Sequence, residues 1–325
     1  MPKYAVENIL VSASYLGDEF DVVVVADRPD RSLSRQGVKL VNARSIWPQA
    51  QRKALEVDLS RSGKDPRWRR HYWTHVIGRF AALKAYSSSL NQNVPIVHIE
   101  NDVVAFFNGE ILDSVFEGGP AFALAVDDNN VCPGLLFAED PGKMESICNY
   151  VTTAVATGRE ASDMTALAEL ARNGDLKVLP TTFHPSGIKM LVGEGKDASE
   201  YSVVFDTIFL GQYLFGIDPR NEGGFRVPGV RLLTGGHDAG SLREWSVELC
   251  GDGRYRICAV ANSGPVVLAN LHVHAKVPLP HLEDFNEWSR ILSAANGVTV
   301  PKVSIHWGAW IESEARKFAH WLLHR

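Results

Sequence analysis

The chain has 325 residues, 45% of them hydrophobic and 22% charged, with a formal net charge of −5. That is the composition of a globular protein with ample core, and the negative balance excludes reliance on bulk basic attraction to nucleic acid. The four cysteines, Cys132, Cys148, Cys250 and Cys258, form no CxxC pair, so neither a cysteine zinc site nor a secreted disulfide framework is expected.

Tyr4 to Leu16 carries apolar residues at helical spacing. Asp21–Asp27 is an apolar run between aspartates, the pattern of a buried parallel strand. Residues 28–70 are polar, arginine-rich and marked by turn signals, with a short strand at Val38–Val41. Trp73–Leu90 reads as an amphipathic helix, followed at once by a strand at Ile96–Ile99. Ala121–Val126 and Gly134–Phe137 read as strands around an Asp-Asp-Asn-Asn turn, then helices at Glu145–Ala156 and Asp163–Ala171, and a strand at Lys177–Leu179. Phe205–Leu214 reads as a helix, the glycine-dense stretch Pro219–His237 as a long loop, and Tyr255–Val260 and Val266–His272 as strands. Helices at Leu282–Ala295 and Ile311–Leu323 close the chain. The alternation predicts an α/β fold with a largely parallel central sheet flanked by helices. Residues 1–280 are expected to form the main domain and 281–325 a helical extension packed on it. No secretory signal and no apolar run of transmembrane length is read, which makes a cytoplasmic location the expectation.

Three clusters carry candidate chemistry. Glu100 and Asp102 follow an apolar strand at i, i+2, and residues two apart on a strand share a face. Two like charges against buried walls are costly without a cation between them, so the spacing fits a divalent metal; it also fits a strand ending in a polar turn. His272, His274 and Lys276 follow the strand from Val266 with the same spacing, and would share one face if it continued. Imidazole nitrogen adds to an oxygen-rich metal site and a lysine ammonium matches a phosphate oxygen, whereas the plain alternative is a decorated strand edge. Asp206 and Gln212 bracket an apolar segment, and Asp218 opens an Asp-Pro-Arg-Asn turn after Gly216; a helix with a capping aspartate and a loop is the plain alternative. Asp27, at the end of the first strong strand, sits where a nucleoside commonly binds. Arg79 lies on the helix leading to the acidic pair, within reach of a phosphate. Asp163 is most simply a helix cap. Arg61, Lys64, Arg67, Arg69 and Arg70 form a basic run that ordinarily marks a solvated face.

Taken in order, these pieces resemble the GT-A type of nucleotide-sugar glycosyltransferase. Glu100-Asn101-Asp102 stands where that family has its acidic DxD motif, with glutamate in place of the first aspartate. Cys132-Pro133-Gly134-Leu135-Leu136 is similar to the turn where the acceptor enters, Asp163-Met164 to the acidic helix start facing it, and Asn270–Lys276 to the late metal histidine and phosphate lysine. The resemblance implies a GT-A-like fold and transfer of a sugar from a nucleotide-diphosphate donor to a glycan or other hydroxyl acceptor. Mn2+ or Mg2+ would be held by Glu100, Asp102 and His272 or His274. Lys276 and Arg79 would meet the diphosphate, Asp27 and Asp218 would contribute to donor binding, and Asp163 or Asp206 would supply a general base where the reaction inverts. Modified nucleic acid is a further acceptor, entering through the basic run. The same residues also fit a metal-dependent phosphoesterase or nucleotidyltransferase, or a non-catalytic sugar-nucleotide-binding protein.

Overall fold

A computed structural model describes residues 1–65, 67–68, 71–90, 94–116, 121–127, 129–179, 181, 203–207, 209–215, 243–249, 255–261, 264–273, 275–281 and 283–296. The chain opens on α1 (Lys3–Leu16), as its periodicity predicts. β1 (Val23–Ala26) pairs in parallel with β2 (Lys39–Asn42), and the two stand as a separate two-stranded sheet whose first strand is half-buried, not fully covered. The arginine-rich stretch that follows contains α2 (Ala43–Ile46) and a 13-residue helix, α3 (Gln49–Arg61). Only Leu55 and Leu59 of α3 are buried, which is why its polar sequence reads as loop.

α4 (Tyr72–Ser87) leads to β3 (Ile96–Ile99), then β4 (Val103–Ala105) and α5 (Gly109–Phe116). β5 (Ala121–Asp127) and β6 (Asn130–Ala138) form a hairpin, followed by α6 (Pro141–Ala156), α7 (Asp163–Arg172) and β7 (Lys177–Leu179). These strands build a sheet of order β3-β6-β5-β7. α4 and α6 pack together against it, over fully buried Ile77, Phe80, Met144 and Val151. Each such large side chain contributes about 1.5–3 kcal/mol of apolar burial.

β8 (Val203–Val204), α8 (Phe209–Phe215), β9 (Arg243–Leu249), β10 (Tyr255–Ala261), β11 (Gly264–Leu268), β12 (Asn270–His272) and α9 (Phe285–Asn296) follow. They give a second sheet of order β8-β11-β10-β9, with Trp288 of α9 fully buried beside Ile257 and Leu268.

The α/β class holds, but the sheets are mixed, not largely parallel. β6 runs antiparallel to both β3 and β5, and only β5–β7 is parallel; in the second sheet only β11–β8 is parallel. The short β5–β6 turn allows only an antiparallel return, whereas the α6–α7 crossover delivers β7 in parallel. The expected strand Val266–His272 is also two strands. At Ala269 the chain changes sheets: its N–H donates to Val204 (2.9 Å) and its carbonyl accepts from Phe106 (2.7 Å). β12 then pairs with β4 and joins the two halves of the molecule. The expected loop at 219–237 and helix at 311–323 lie outside the described residues. None of the described helices is long and apolar enough to cross a membrane.

Candidate metal centre

β3 stops at Ile99, so Glu100 and Asp102 do not share a strand face as the spacing predicts. Glu100 keeps one pairing, its N–H donating to Gly134 of β6 (3.0 Å), and the Val103 N–H then donates back to the Glu100 carbonyl (3.0 Å), closing a four-residue turn. Beyond the turn β4 pairs with β12, placing Val103 opposite His272, and the Val273 N–H donates to the Asp102 carbonyl (2.6 Å). The acidic turn is therefore held at one end by β6 and at the other by β12. This brings Glu100, Asp102 and His272 together with their ligand atoms all within 4.8 Å of one another, the single His/Cys/Asp/Glu grouping of this kind among the described residues.

The imidazole is fixed by the chain around it. Nδ1 lies 2.6 Å from the Thr207 carbonyl oxygen. That oxygen can only accept, so Nδ1 carries a proton and Nε2 is the atom left facing the carboxylates. Nε2 is 3.7 Å from Asp102 Oδ2, too long for a hydrogen bond and less than two metal–ligand bonds of about 2.1 Å. Two carboxylates and one imidazole suit a divalent cation such as Mn2+, and the protein groups present fit one.

Asp206 stands behind this histidine. Its buried carboxylate accepts from the backbone N–H groups of Leu210 (2.9 Å), Gly211 (2.9 Å) and His272 (3.1 Å), so it ties the start of α8 to β12. Asn270, also buried, accepts from the Asp206 N–H (3.1 Å) and donates to its carbonyl (2.9 Å). Burial pushes the Asp206 carboxyl up, against the pull of the backbone donors. Gly211 and Gly134 let the walls close. A Cβ on Gly211 would lie 1.8 Å from the His272 carbonyl oxygen, and one on Gly134 would lie 3.3 Å from His272 Nδ1. Thr207, Asn270 and the two glycines carry no sequence signal of this role, because each acts through a partner distant in the chain.

Two basic side chains flank the triad. Lys276 pairs with Asp102, reaching it through a turn and not along a continued strand; its own φ is 56°, in the left-handed region. Arg79 of α4 pairs with both Glu100 and Asp163. Ser162 caps α7 through a reciprocal box with Thr165, leaving Asp163 as the first helical residue, free of capping and turned to Arg79. Burial raises the Glu100 carboxyl, Arg79 opposes that, and the Asp102 charge adds to it. Burial also works against the Asp102 carboxylate, but His272 and Lys276 outweigh it and hold Asp102 well below the usual range. Burial would strip the His272 proton, yet Asp102 raises its proton affinity overall. A pocket that attracts a proton to Nε2 so strongly offers the same charge to a cation.

His98, two residues before Glu100, feels the charge of Arg79 and is not among the residues flagged from the sequence. Burial first and Arg79 second hold its imidazole neutral, down to about 3, and its Nε2 is enclosed without a hydrogen bond. Cys132 Sγ lies 4.0 Å from His272 Nδ1, but that nitrogen's proton points to Thr207, so the thiol gains no base.

The remaining expected residues fall elsewhere. Asp27, at the end of β1, pairs with Arg52 (2.6 Å) and Arg44 (3.7 Å), with no contact to the triad. Asp218 and His274 lie outside the described residues. No protein-family model, curated protein or solved structure matches the chain. The site must be read from its own chemistry.

Proposed function

We propose that the protein is a metal-dependent glycosyltransferase of GT-A-like organisation, moving a sugar from a nucleotide-diphosphate donor to a glycan or other hydroxyl acceptor. The observation that carries this is the Glu100–Asp102–His272 cluster, assembled from two strand systems, with the Thr207 carbonyl leaving Nε2 as the coordinating atom. Mn2+ or Mg2+ held there would neutralise negative charge on the leaving diphosphate. Glu100 and Asp102 supply the oxygen ligands and His272 the nitrogen. Lys276 and Arg79, each within reach of a carboxylate of the cluster, are the cations placed to bind phosphate oxygens. Asp163 is the buried acid that takes the second guanidinium nitrogen of Arg79, whose first meets Glu100, and is the candidate to orient or deprotonate the acceptor hydroxyl. Asp206 has its carboxylate committed to backbone N–H groups, so its work is positioning His272. Asp27 belongs to the nucleoside side of the proposal, through the carboxyl end of β1.

The test is incubation with a panel of nucleotide sugars and Mn2+, with and without acceptor glycans, following free nucleoside diphosphate. Release dependent on Mn2+ and abolished in Asp102→Ala supports the transferase. Cleavage of a phosphodiester without any sugar requirement would instead assign the site to a metal-dependent phosphoesterase or nucleotidyltransferase. Donor binding without turnover would make it a binding protein.

A further inference from the structure

The helix that opens the chain lies across the two segments that frame the metal centre. Val11 and Tyr15 of α1 belong to the same buried cluster as Val104 and Phe106, which follow Asp102, and Val273 and Leu279, which flank Lys276. A second stripe of α1 carries polar groups. Tyr4, Asn8 and Ser12 recur at i, i+4 and i+8, along one face of the helix.

Each of the three reaches a segment beside the centre. Ser12 is buried, and its hydroxyl accepts from the Ala105 N–H of β4 (3.1 Å). Asn8, 1% exposed, accepts from the Leu279 N–H through Oδ1 (3.0 Å) and donates to the Val277 carbonyl through Nδ2 (3.4 Å). The Tyr4 ring centroid lies 6.0 Å from the Lys276 ammonium, at the outer limit of cation–π attraction. A buried amide is costly unless both its ends are paired. Asn8 meets that need on the backbone just after Lys276, so α1 fixes the path of the chain there.

Lys276 needs such a hold. Its φ of 56° is a conformation that residues with a side chain rarely adopt, and it persists only where the surroundings impose it. Ahead of it, the Val273 N–H donates to the Asp102 carbonyl (2.6 Å), and the Val273 carbonyl accepts from the Lys276 N–H (2.9 Å). Behind it, Asn8 grips residues 277 and 279 together. The lysine is thus anchored on one side by the acidic turn and on the other by α1, and its ammonium falls on Asp102.

We propose that Asn8, with Tyr4 one turn before it, is a positioning residue that holds Lys276 against Asp102. Its use in presenting the ammonium to a donor diphosphate rests on the transferase reading; the hold itself does not.

The test is competitive acylation of lysine amines on the metal-free full chain, read by peptide mass spectrometry, with Lys3 as the internal reference because its side chain is 88% exposed. Lys276, with a side chain 22% exposed and paired, should label more slowly than Lys3 in the parent. Asn8→Ala should raise Lys276 labelling about threefold or more, as the held conformer becomes a smaller share of the population. Asn8→Ser, whose shorter side chain cannot span both backbone groups, should do the same and decides the matter where the alanine variant does not fold. Val11→Ala is the structural control: it removes buried apolar volume from the same helix, so it should lower the unfolding midpoint and leave Lys276 at the parent rate. Mn2+ calorimetry gives a second readout. A released Lys276 competes less for Asp102, so Asn8→Ala should bind Mn2+ more tightly, by about twofold or more, and that difference should vanish in a Lys276→Ala background. The proposal is overturned if both Asn8 variants label like the parent, if Val11→Ala moves Lys276 as far as Asn8→Ala does, or if the Mn2+ difference persists without Lys276. Should the parent bind none of UDP, GDP and ADP in the presence of Mn2+, the transferase reading falls, and the labelling still decides the hold.

Discussion

The Nδ1 of His272 and the carbonyl oxygen of Thr207 lie 2.6 Å apart, joining β12 to the residue that follows Asp206. That contact leaves only Nε2 for a cation. Titrating the parent with Mn2+ by calorimetry should therefore give a single site, and His272→Ala should weaken it about tenfold or more. His272→Gln, which keeps a hydrogen-bonding group but offers no equivalent nitrogen, should lie nearer the alanine variant than the parent. Parent-like affinity in both would place the metal elsewhere.

Lys276 and Arg79 occupy the same carboxylates that a metal would use, and would also meet a diphosphate. Opposite effects follow for the two ligands. In Lys276→Ala the metal alone should bind more tightly, because a competing cation has left Asp102. A nucleoside diphosphate added with Mn2+ should bind more weakly, by about tenfold for a lost charge-assisted contact. Arg79→Ala should show the same split, with an added loss of stability because buried Asp163 and largely buried Glu100 both lose their guanidinium partner. Weaker binding of both ligands in Lys276→Ala would mean that the lysine only supports the fold.

Much of this site is legible in the sequence, but for a partly different reason than the one that reveals it. Two carboxylates at i, i+2 and a late histidine are the right residues, whereas the strand-face geometry inferred for them is replaced by a turn at Glu100–Val103 and a sheet change at Ala269. Local spacing constrains which groups are near in sequence, and cannot report a Thr207 carbonyl or a Gly134 backbone supplied from other elements. The fold follows the same division. α1, α4, β3 and β7 declare themselves by period, whereas α3 hides because only two of its thirteen residues are buried. The direction of β6 depends on a hairpin, which an apolar run does not encode.

Gly211 offers a mechanical test of the wall behind His272. A methyl group there would lie 1.8 Å from the His272 carbonyl oxygen, closer than backbone atoms can yield without moving α8 off β12. Gly211→Ala should cost more than about 3 kcal/mol in denaturant unfolding and weaken Mn2+ binding with it. Gly37 is the control. Its φ of 80° strains any alanine by about 1–2 kcal/mol, but nothing lies within 4 Å of the added carbon, so Gly37→Ala should leave metal affinity at the parent value. A Gly211→Ala protein with parent stability and affinity would show that α8 does not brace the site.

Asp27 gives a pH-dependent prediction. The Arg52 hydrogen bond, helped by Arg52 and Arg44 charge and opposed by burial, holds its carboxyl below the ordinary value. A carboxyl lowered in the folded state contributes stability above its unfolded pKa of about 3.9 and loses it as the pH falls through the folded value. The pair is partly exposed, with the Asp27 side chain 41% accessible, so solvent screening limits its worth to under about 1 kcal/mol. Asp27→Asn should therefore be slightly less stable than the parent at neutral pH, with the gap closing below about pH 4 as the parent's own carboxylate takes up its proton. Urea midpoints measured from neutral pH downward check this. A gap that stays constant across that range would mean that Asp27 acts through packing or hydrogen-bond geometry, and not through its charge.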